Sequence, residues 1–474
     1  MVIAMSSRIV LRDYQDRDAN RIRWAYSVGK KAPLYVAPCG SGKTILFSYI
    51  TQAANARGNK VLLLSHRAEL VDQISKALIK QGVNHGFIAS GYPYLRGDSV
   101  YVASVLTLVQ RLDLFTPDLI IIDEAHHTSA ATWEQILQAY PKARRLGVTA
   151  TPCRTSGEGL DKFYDEIIIG PSYEELTHAG YLTDLIAYAP PTISTAGLRI
   201  RVGDYITSEL VERSDRPSVT GDAIEHYKRI APGGRAIVFD VSVETARKRA
   251  AAFREAGIKA ESIDGTLSRE VRAMAVSDFR SGRVPVLTSC DLVSEGFDLP
   301  AIEVGIDLCP TQSLTKFLQK AGRILRPMEG KSVAYWLDHA NNINKHGFPT
   351  EPRDWTLAGI TKRADGAKPQ PGVRVCPKCF CASPSYAKRC KGCGEEFKIE
   401  GRKVKEKEGK LEKLTVEEAR ERAQAKRLRR EALGTQGRAK TLESLIELGH
   451  IRGMRNPEGW AQHILDARQA KGRK

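Results

Sequence analysis

A glycine-rich segment, residues 37–44 (APCGSGKT), directly follows a short apolar run and opens a helical stretch. Glycines in such a turn let backbone N–H groups point at phosphate oxygens, a lysine neutralises phosphate charge, and a threonine hydroxyl binds Mg²⁺. The first position holds alanine where the general pattern has glycine, and an ordinary glycine-rich turn is the alternative. The spacing predicts a site for the phosphates of ATP and for Mg²⁺, formed by Gly40, Ser41, Gly42, Lys43 and Thr44.

A second group of reactive side chains ends an apolar run at residues 120–126 (IIIDEAH). Ligands of open α/β sheets bind at the carboxyl ends of the strands, and this run delivers its carboxylates at such an end. Asp123 is expected to hold Mg²⁺, and Glu124 to orient and deprotonate the water that attacks the phosphate. His126 completes the predicted catalytic group, whereas His127 is expected to be an ordinary surface residue.

Two arginines, Arg323 and Arg326, follow much later, in residues 319–327 (QKAGRILRP). Residues three apart share one helix face, so both guanidinium groups can point in one direction. Such a pair can stabilise the charge that develops on the γ-phosphate. Because the pair lies in a second domain, hydrolysis would require the two domains to close on each other.

The elements that must position these residues are nearly continuous apolar runs separated by helical stretches, which is typical of parallel strands buried on both faces. The first set lies at 34–36, 61–64, 119–122 and 146–148, and the second at 236–239, 284–288, 304–307 and 333–337. A more irregular region separates the two sets. The predicted fold class is therefore α/β, with two parallel-sheet domains in tandem.

In their order and spacing these motifs resemble those of superfamily 2 DEAH-type helicases, over about residues 8–340. The resemblance implies two RecA-like domains with ATP bound between them. Residues 11–15 (LRDYQ) resemble the motif that reads adenine, and residues 292–300 (LVSEGFDLP) resemble a second-domain motif. The further nucleotide contacts that the resemblance implies are Arg12, Gln15, Gly296, Asp298 and Gln319.

The same resemblance implies that one nucleic-acid strand is held across both domains. Hydroxyl groups and arginines suit this task, because contacts to phosphates position a strand without reading its sequence. The implied strand contacts are Arg67, Ser104, Thr107 and Thr288, for each of which an ordinary surface or core role is the alternative. In residues 149–152 (TATP), Thr149 and Thr151 are expected to couple the γ-phosphate to strand separation.

Five of the nine cysteines fall between residues 376 and 393, in two C-x-x-C pairs with ten residues between them. Four thiolates without a spare protein base predict a closed structural Zn²⁺ site rather than a catalytic one. The predicted ligands are Cys376, Cys379, Cys390 and Cys393, although Cys381 could replace Cys379 or remain a free thiol. The arrangement resembles phage- or prophage-encoded helicases that carry a C-terminal four-cysteine finger.

The formal net charge of +17 favours an anionic polymer as the partner. Residues 398–474 contain 21 Lys and Arg against 12 Asp and Glu, a net charge of +9. This tail is expected to be basic and mostly helical. It could hold DNA, dock a replication or recombination protein, or serve solubility alone.

The predicted domains are an ATP-binding domain (1–170), a connecting segment (171–225), a second motor domain (226–345), a linker (346–372), a zinc module (373–398) and the tail (399–474). No apolar run approaches the roughly 20 residues that span a membrane. The start of the chain lacks a secretory pattern. We therefore expect a cytoplasmic protein, in the host cytoplasm if the chain is encoded by a phage.

Together these features predict an ATP-dependent helicase or translocase that moves along or unwinds DNA, with branched or replicating DNA as the expected substrate. The motifs that bind ATP do not distinguish the sugar, so an RNA-remodelling ATPase is one alternative. The other is a nucleotide-switched adaptor that docks a partner through its tail.

Overall fold

A computed structural model of the chain describes residues 10–66, 68–127, 131–154, 157–190, 193–201, 203–290, 302–359, 372–397, 441–451 and 456–471. The chain divides into a large unit, Met1–Ile399, and a small unit, Glu400–Lys474. Arg67, Gly296 and Asp298 lie outside the described residues, as does most of the basic tail.

The first domain of the large unit is built on seven parallel strands in the order β3–β4–β2–β5–β6–β1–β7. The strands are β1 (Pro33–Val36), β2 (Val61–Ser65), β3 (Gly86–Ile88), β4 (Val100–Ser104), β5 (Leu119–Asp123), β6 (Arg144–Thr149) and β7 (Glu166–Ile169). The helices are α1 (Asp13–Ser27), α2 (Lys43–Asn55), α3 (Ala68–Lys80), α4 (Val105–Leu108) and α5 (Ala131–Ala139), and α6 (Tyr173–His178) leads out of the domain.

The second domain is built on six parallel strands in the order β12–β13–β11–β14–β15–β8. The strands are β8 (Asp184–Tyr188), β11 (Ala236–Phe239), β12 (Ala260–Ile263), β13 (Val286–Ser289), β14 (Val304–Asp307) and β15 (Val333–Asp338), with a small hairpin of β9 (Ile200–Arg201) and β10 (Asp204–Tyr205). The helices are α7 (Thr207–Ser214), α8 (Pro217–Ile230), α9 (Val243–Glu255), α10 (Arg269–Arg280), α11 (Leu314–Ile324) and α12 (Asn342–His346).

Each apolar run singled out in the sequence contributes a strand to one of these sheets, and the predicted α/β fold class is confirmed. The inner strands β1, β2, β11, β13 and β14 are buried at every position, as expected for parallel strands covered on both faces. None of the helices within the described ranges is long and apolar enough to cross a lipid bilayer.

A segment after α12, residues 348–359, returns from the second domain to the first. The carbonyl oxygen of Leu357 accepts hydrogen bonds from the backbone of Leu160, at 2.7 Å, and from that of Asp161. Trp355 packs against apolar clusters of both domains. A Cβ atom on Gly159 would lie 2.2 Å from the Leu357 oxygen, so a glycine is required where the segment docks. The segment therefore joins the two domains a second time.

In the small unit, two helices, α13 (Leu442–Ile451) and α14 (Pro457–Lys471), pack as an antiparallel pair. Leu445 and Ala461 are fully buried. A proline suits the first position of α14, where its missing N–H group costs nothing. The sequence predicts a mostly helical tail, and the described part of the tail contains these two helices.

Candidate functional site

The glycine-rich segment forms a loop between β1 and α2. Gly40 and Gly42 have φ angles of +85° and +77°, in the left-handed region that glycine adopts without strain. The Lys43 ammonium group donates hydrogen bonds to two carbonyl oxygens of the loop, each 3.1 Å away. Thr44 lies in the first turn of α2, and the buried Ser41 hydroxyl has no hydrogen-bond partner. The loop therefore offers a lysine, hydroxyl groups and a helix N-terminus to an anion.

Two carboxylates stand where β5 ends, in the same domain as the loop. Burial raises the pKa of Asp123 to about 7, helped by the adjacent Glu124 and opposed by Lys43. Glu124 has a φ of +49°, and its Oε2 atom is buried without a hydrogen-bond partner. Buried polar groups are rarely left unpaired. A cation at Asp123 and a water molecule at Glu124 would satisfy both carboxylates, so the residues fit the Mg²⁺ and the water that the sequence predicts.

His126 connects these carboxylates to the Thr149–Thr151 segment. Its Nδ1 atom lies 3.1 Å from the Thr149 hydroxyl and 3.4 Å from Glu124 Oε2. The Thr149 hydroxyl also accepts a hydrogen bond from the backbone N–H of Thr151 and donates one to its carbonyl. The structure thus brings together four of the predicted catalytic and coupling residues, Glu124, His126, Thr149 and Thr151, in one network.

His127 has a different place from the one expected from the sequence. Its ring centroid lies 4.2 Å from that of His126 and 4.0 Å from that of His66, the residue after β2. The three rings lie in a row, tilted by 42° and 39° to one another, that runs from the carboxylates at the end of β5 to the residue before Arg67. We call this row the three-histidine stack. No sequence spacing indicates this stack, because its members come from the ends of two different strands.

The second domain meets the phosphate loop through α11. Gly322 faces Cys39 so closely that a Cβ atom on the glycine would lie 2.2 Å from the Cys39 Cβ. A Cβ atom added to Gly40 would lie 3.7 Å from the Cγ atom of Arg326. Arg323, which directly follows Gly322, is half-buried. Both predicted arginines therefore belong to the short segment that covers the loop.

One geometric expectation about this pair is corrected. Helix α11 ends at Ile324, so Arg326 follows the helix instead of sharing a face with Arg323. Proline disfavours the helical conformation of the residue before it, and Pro327 follows Arg326. Within α11, the Gln319 amide is buried without a hydrogen-bond partner, whereas Lys320 pairs with Asp307 at 3.0 Å.

The predicted adenine-reading residues lie against the loop. The Gln15 side-chain amide donates to the Gly42 carbonyl at 3.1 Å, and the Tyr14 hydroxyl donates to that of Ser41. The Arg12 guanidinium lies 3.9 Å from the ring centroid of Tyr181. The sequence motif does not include this tyrosine, because it enters from the segment between the domains.

The residues predicted to contact a nucleic-acid strand differ in their exposure. Ser104 ends β4 and caps α4, where its hydroxyl donates to that of Thr107 at 2.9 Å; both side chains are partly exposed. Thr288 is fully buried, and its hydroxyl donates to the Ala246 carbonyl at 2.7 Å. Thr288 is therefore a core residue of the second sheet, and its hydroxyl already forms a hydrogen bond within the domain.

The two cysteine pairs converge on one point. The sulfur atoms of Cys376, Cys379, Cys390 and Cys393 all lie within 4.8 Å of one another. The Cys376–Cys393 and Cys379–Cys390 sulfur distances are 3.7 and 3.5 Å. Zn–S bonds of about 2.3 Å in a tetrahedron place sulfurs about 3.8 Å apart, so the four residues fit a zinc ion. Cys381 is not in the cluster, and burial raises the pKa of its thiol to about 12.

This cysteine module is attached to the second domain. A hairpin of β16 (Val373–Val375) and β17 (Ala382–Pro384) supports it. Cys381 pairs with Tyr188 of the edge strand β8, and the Ala189 N–H donates to the Phe380 carbonyl at 2.9 Å. The module thereby covers the edge of the second sheet, which would otherwise expose unpaired backbone groups.

The two domains that share this cleft match known families. Residues 8–154 match the family described as Type III restriction enzyme, res subunit, and residues 220–328 match the helicase conserved C-terminal domain. The chain belongs to the superfamily 2 helicases, a class of two-domain enzymes that use ATP.

Known relatives differ widely in their sequence identity to this chain. The 51.5 kDa protein of a Lactococcus phage (isolate 7-9) is 36% identical over 388 residues, which are 81% of this chain and 82% of the phage protein. The ATP-dependent RNA helicase DBP3 of Candida glabrata is 22% identical over 327 residues, 64% of this chain and 57% of that protein. This chain thus spans just over half of the Candida relative.

A solved structure shares the fold. The ATP-dependent Type ISP restriction-modification enzyme LlaBIII bound to DNA superimposes with a TM-score of 0.53 at 19% identity. The match covers 70% of this chain and 28% of that one. At this identity the likeness shows the arrangement of the two α/β domains and nothing finer.

We expect Gly322→Ala to lower ATP turnover, because the added Cβ would collide with Cys39 when the domains are together. Overpacking of this kind costs about 1–3 kcal/mol, which corresponds to a loss of about 5- to 150-fold. The measurements are steady-state ATPase activity and ATP affinity. The affinity of the first domain for ATP should change little.

The matched control adds Cys39→Gly to the first change. The nearest remaining atom of residue 39 would then be its Cα, at 3.5 Å, an ordinary contact. The double variant should therefore recover turnover relative to Gly322→Ala, with Cys39→Gly alone as the reference. Normal turnover in Gly322→Ala, or no recovery in the double variant, would show that this contact does not limit the reaction.

We expect Cys379→Ser to lose bound zinc and Cys381→Ser to retain it, because only Cys379 belongs to the cluster. Elemental analysis of the purified variants measures both outcomes. The expected content is one zinc per chain in the unaltered protein and in Cys381→Ser. Zinc retained in Cys379→Ser and lost from Cys381→Ser would reverse the ligand assignment.

Proposed function

We propose that this chain is an ATP-driven helicase or translocase that acts on DNA. The observation that carries the proposal is the contact between α11 of the second domain and the phosphate loop of the first, at Gly322 and Cys39. A site made from both domains is complete only when they are together. Binding and hydrolysis of ATP would therefore change the relation between the domains, which is the movement that a motor needs.

The proposed roles follow from where each side chain lies. Lys43 neutralises the phosphates, Asp123 and Thr44 hold Mg²⁺, and Glu124 takes a proton from the attacking water. Mg²⁺ would neutralise charge that develops between the β- and γ-phosphates. Arg326 and its neighbour Arg323 would stabilise the same charge from the second domain. Most of this stabilisation is expected only in the transition state.

The proposed coupling pathway runs from Glu124 through His126 to Thr149. The three-histidine stack adds a connection from the same carboxylate to His66, at the start of the segment that resembles a strand-contacting motif. Each hydrolysis event would thus be communicated to the nucleic-acid strand. Ser104 and Thr107 remain the proposed strand contacts of the first domain, together with Arg67.

DNA is the proposed substrate, in branched or replicating form. Support comes from the match of the first domain to a restriction-enzyme subunit family and from the net charge of +17. RNA is the competing substrate, because one relative is named an RNA helicase. The test below therefore includes both polymers.

The cysteine module is proposed to hold one structural Zn²⁺ and to add a nucleic-acid surface to the second domain. Its exposed face carries Tyr386, which is 78% exposed, beside Lys388 and Lys391. Aromatic rings stack on bases and lysines contact phosphates. The basic tail that follows is proposed to keep the motor on DNA between steps, or to dock a replication or recombination protein.

The substrate class is tested by ATPase activity of the full chain with single-stranded DNA, duplex DNA, forked DNA and RNA. We expect DNA, and forked DNA most, to stimulate turnover above the basal rate. Glu124→Gln is the control and should lose about a hundredfold or more of turnover, because general-base catalysis contributes about 10²–10⁴-fold. Stimulation by RNA alone would transfer the proposal to an RNA motor, and normal turnover in Glu124→Gln would refute the catalytic assignment.

The tail is tested by removing residues 398–474, a cut that leaves the cysteine module in place. Counterion release makes log affinity fall linearly with log salt, with a slope of about one per phosphate contacted. We expect the truncated chain to bind DNA more weakly and with a shallower slope, and to keep its basal ATPase activity. Superimposable salt curves would instead favour a tail that docks a protein partner.

A further inference from the structure

A cavity of about 570 Å³ lies in the first domain, far from the cleft. Its walls come from α1, α2 and the beginnings of β5 and β6. Asp123 and Thr149, the catalytic and coupling residues, end these same two strands. Because the strands are parallel, the cavity lies at the opposite edge of the sheet from the ATP site and the proposed strand contacts. It is therefore separate from the motor's own site.

The floor of this cavity is apolar. Its lining side chains include Ile22, Tyr49, Ile50, Ala54 and Leu119. Ile22 is 1% exposed and Leu119 is 8% exposed, so both belong to the domain core and give the floor a fixed shape. An aliphatic or aromatic side chain that enters the cavity would lose contact with water, which stabilises binding.

The rim is cationic. Arg23, Arg57, Lys142 and Arg144 are all exposed around the opening. Within the part of the chain that the structure describes, none of these four groups forms a salt bridge with a carboxylate. The lining also contains one acidic residue, Asp118, whose carboxylate accepts a hydrogen bond from the backbone N–H of Lys60 at 2.8 Å. Four cationic side chains against this one acidic side chain leave the lining with a surplus of positive charge.

We propose that this cavity, which we name the α1–α2 pocket, binds an acidic peptide segment of a partner protein. An apolar side chain of the segment would occupy the floor, and flanking carboxylates would pair with the four cations of the rim. Charge complementarity of this kind sets the association rate and the choice of partner. The proposal adds a protein partner to the motor and does not depend on which nucleic acid the motor uses.

A nucleic-acid backbone would satisfy the rim but offers no apolar side chain to the floor. A peptide that carries both carboxylates and one large apolar side chain uses both parts of the pocket.

The test uses the full-length protein and a short fluorescein-labelled peptide in which aspartates flank one phenylalanine, with binding followed by fluorescence anisotropy. Two variants address the two parts of the pocket. Arg57→Glu combined with Arg144→Glu reverses the rim, and Ala53→Trp fills the cavity from α2. The matched control, Lys31→Glu with Lys162→Glu, changes the net charge equally at exposed residues that do not line the pocket.

We expect each pocket variant to weaken peptide binding by at least about tenfold and the control by no more than about twofold, because close charge pairs act over short distances. Basal ATPase activity and melting temperature should be unchanged in all three. A peptide with lysines in place of the aspartates should not bind.

Three results would overturn the proposal. The first is a lack of saturable peptide binding to the unaltered protein, and the second is an equal loss in the charge-matched control. The third is a single-stranded oligonucleotide that displaces the peptide and loses affinity in the same two variants, which would make the pocket a nucleic-acid surface.

Discussion

The close approach of Gly322 to Cys39 brings the second domain onto the phosphate loop of the first. Because glycine has no side chain, α11 can pack directly on the loop, and Arg326, just after the helix, lies near Gly40. In the proposed mechanism neither domain contains a full set of catalytic groups by itself. The first domain would supply the lysine and the two carboxylates, and the second would supply the arginines. The division of one site between two sheets makes ATP chemistry depend on domain position.

Several other features of the fold position the site residues and join the two domains. Parallel strands direct Asp123, Thr149 and Ser65 to one edge of the first sheet, where their neighbours can form a network of side chains. The segment 348–359 ties the second domain back to the first through Leu357 and Trp355. The cysteine module covers the open edge of the second sheet. These contacts hold the two domains together in the arrangement described.

Much of this could be predicted from sequence, because the inner strands are continuous apolar runs and the phosphate loop has a nearly unique spacing. The edge strand β8 is not distinguishable in the sequence, since only one of its five residues, Ala187, is buried and it lies in a region with little pattern. Tyr181, His66 and His127 were missed for a different reason. Their neighbours come from distant parts of the chain, so no local spacing indicates the contacts. Cys381 could be separated from the ligand set only by the positions of the sulfur atoms.

Whether the second domain completes the catalytic site of the first is tested by comparing Arg326→Ala with the unaltered protein. Two assays are made on the same preparation: equilibrium binding of ATP, and single-turnover hydrolysis with DNA present. An arginine that acts mainly on the transition state should leave ATP affinity within about threefold while the hydrolysis rate falls by about 10³-fold or more. Hydrolysis near the normal rate, or a loss of binding as large as the loss of rate, would contradict a catalytic role for the second domain.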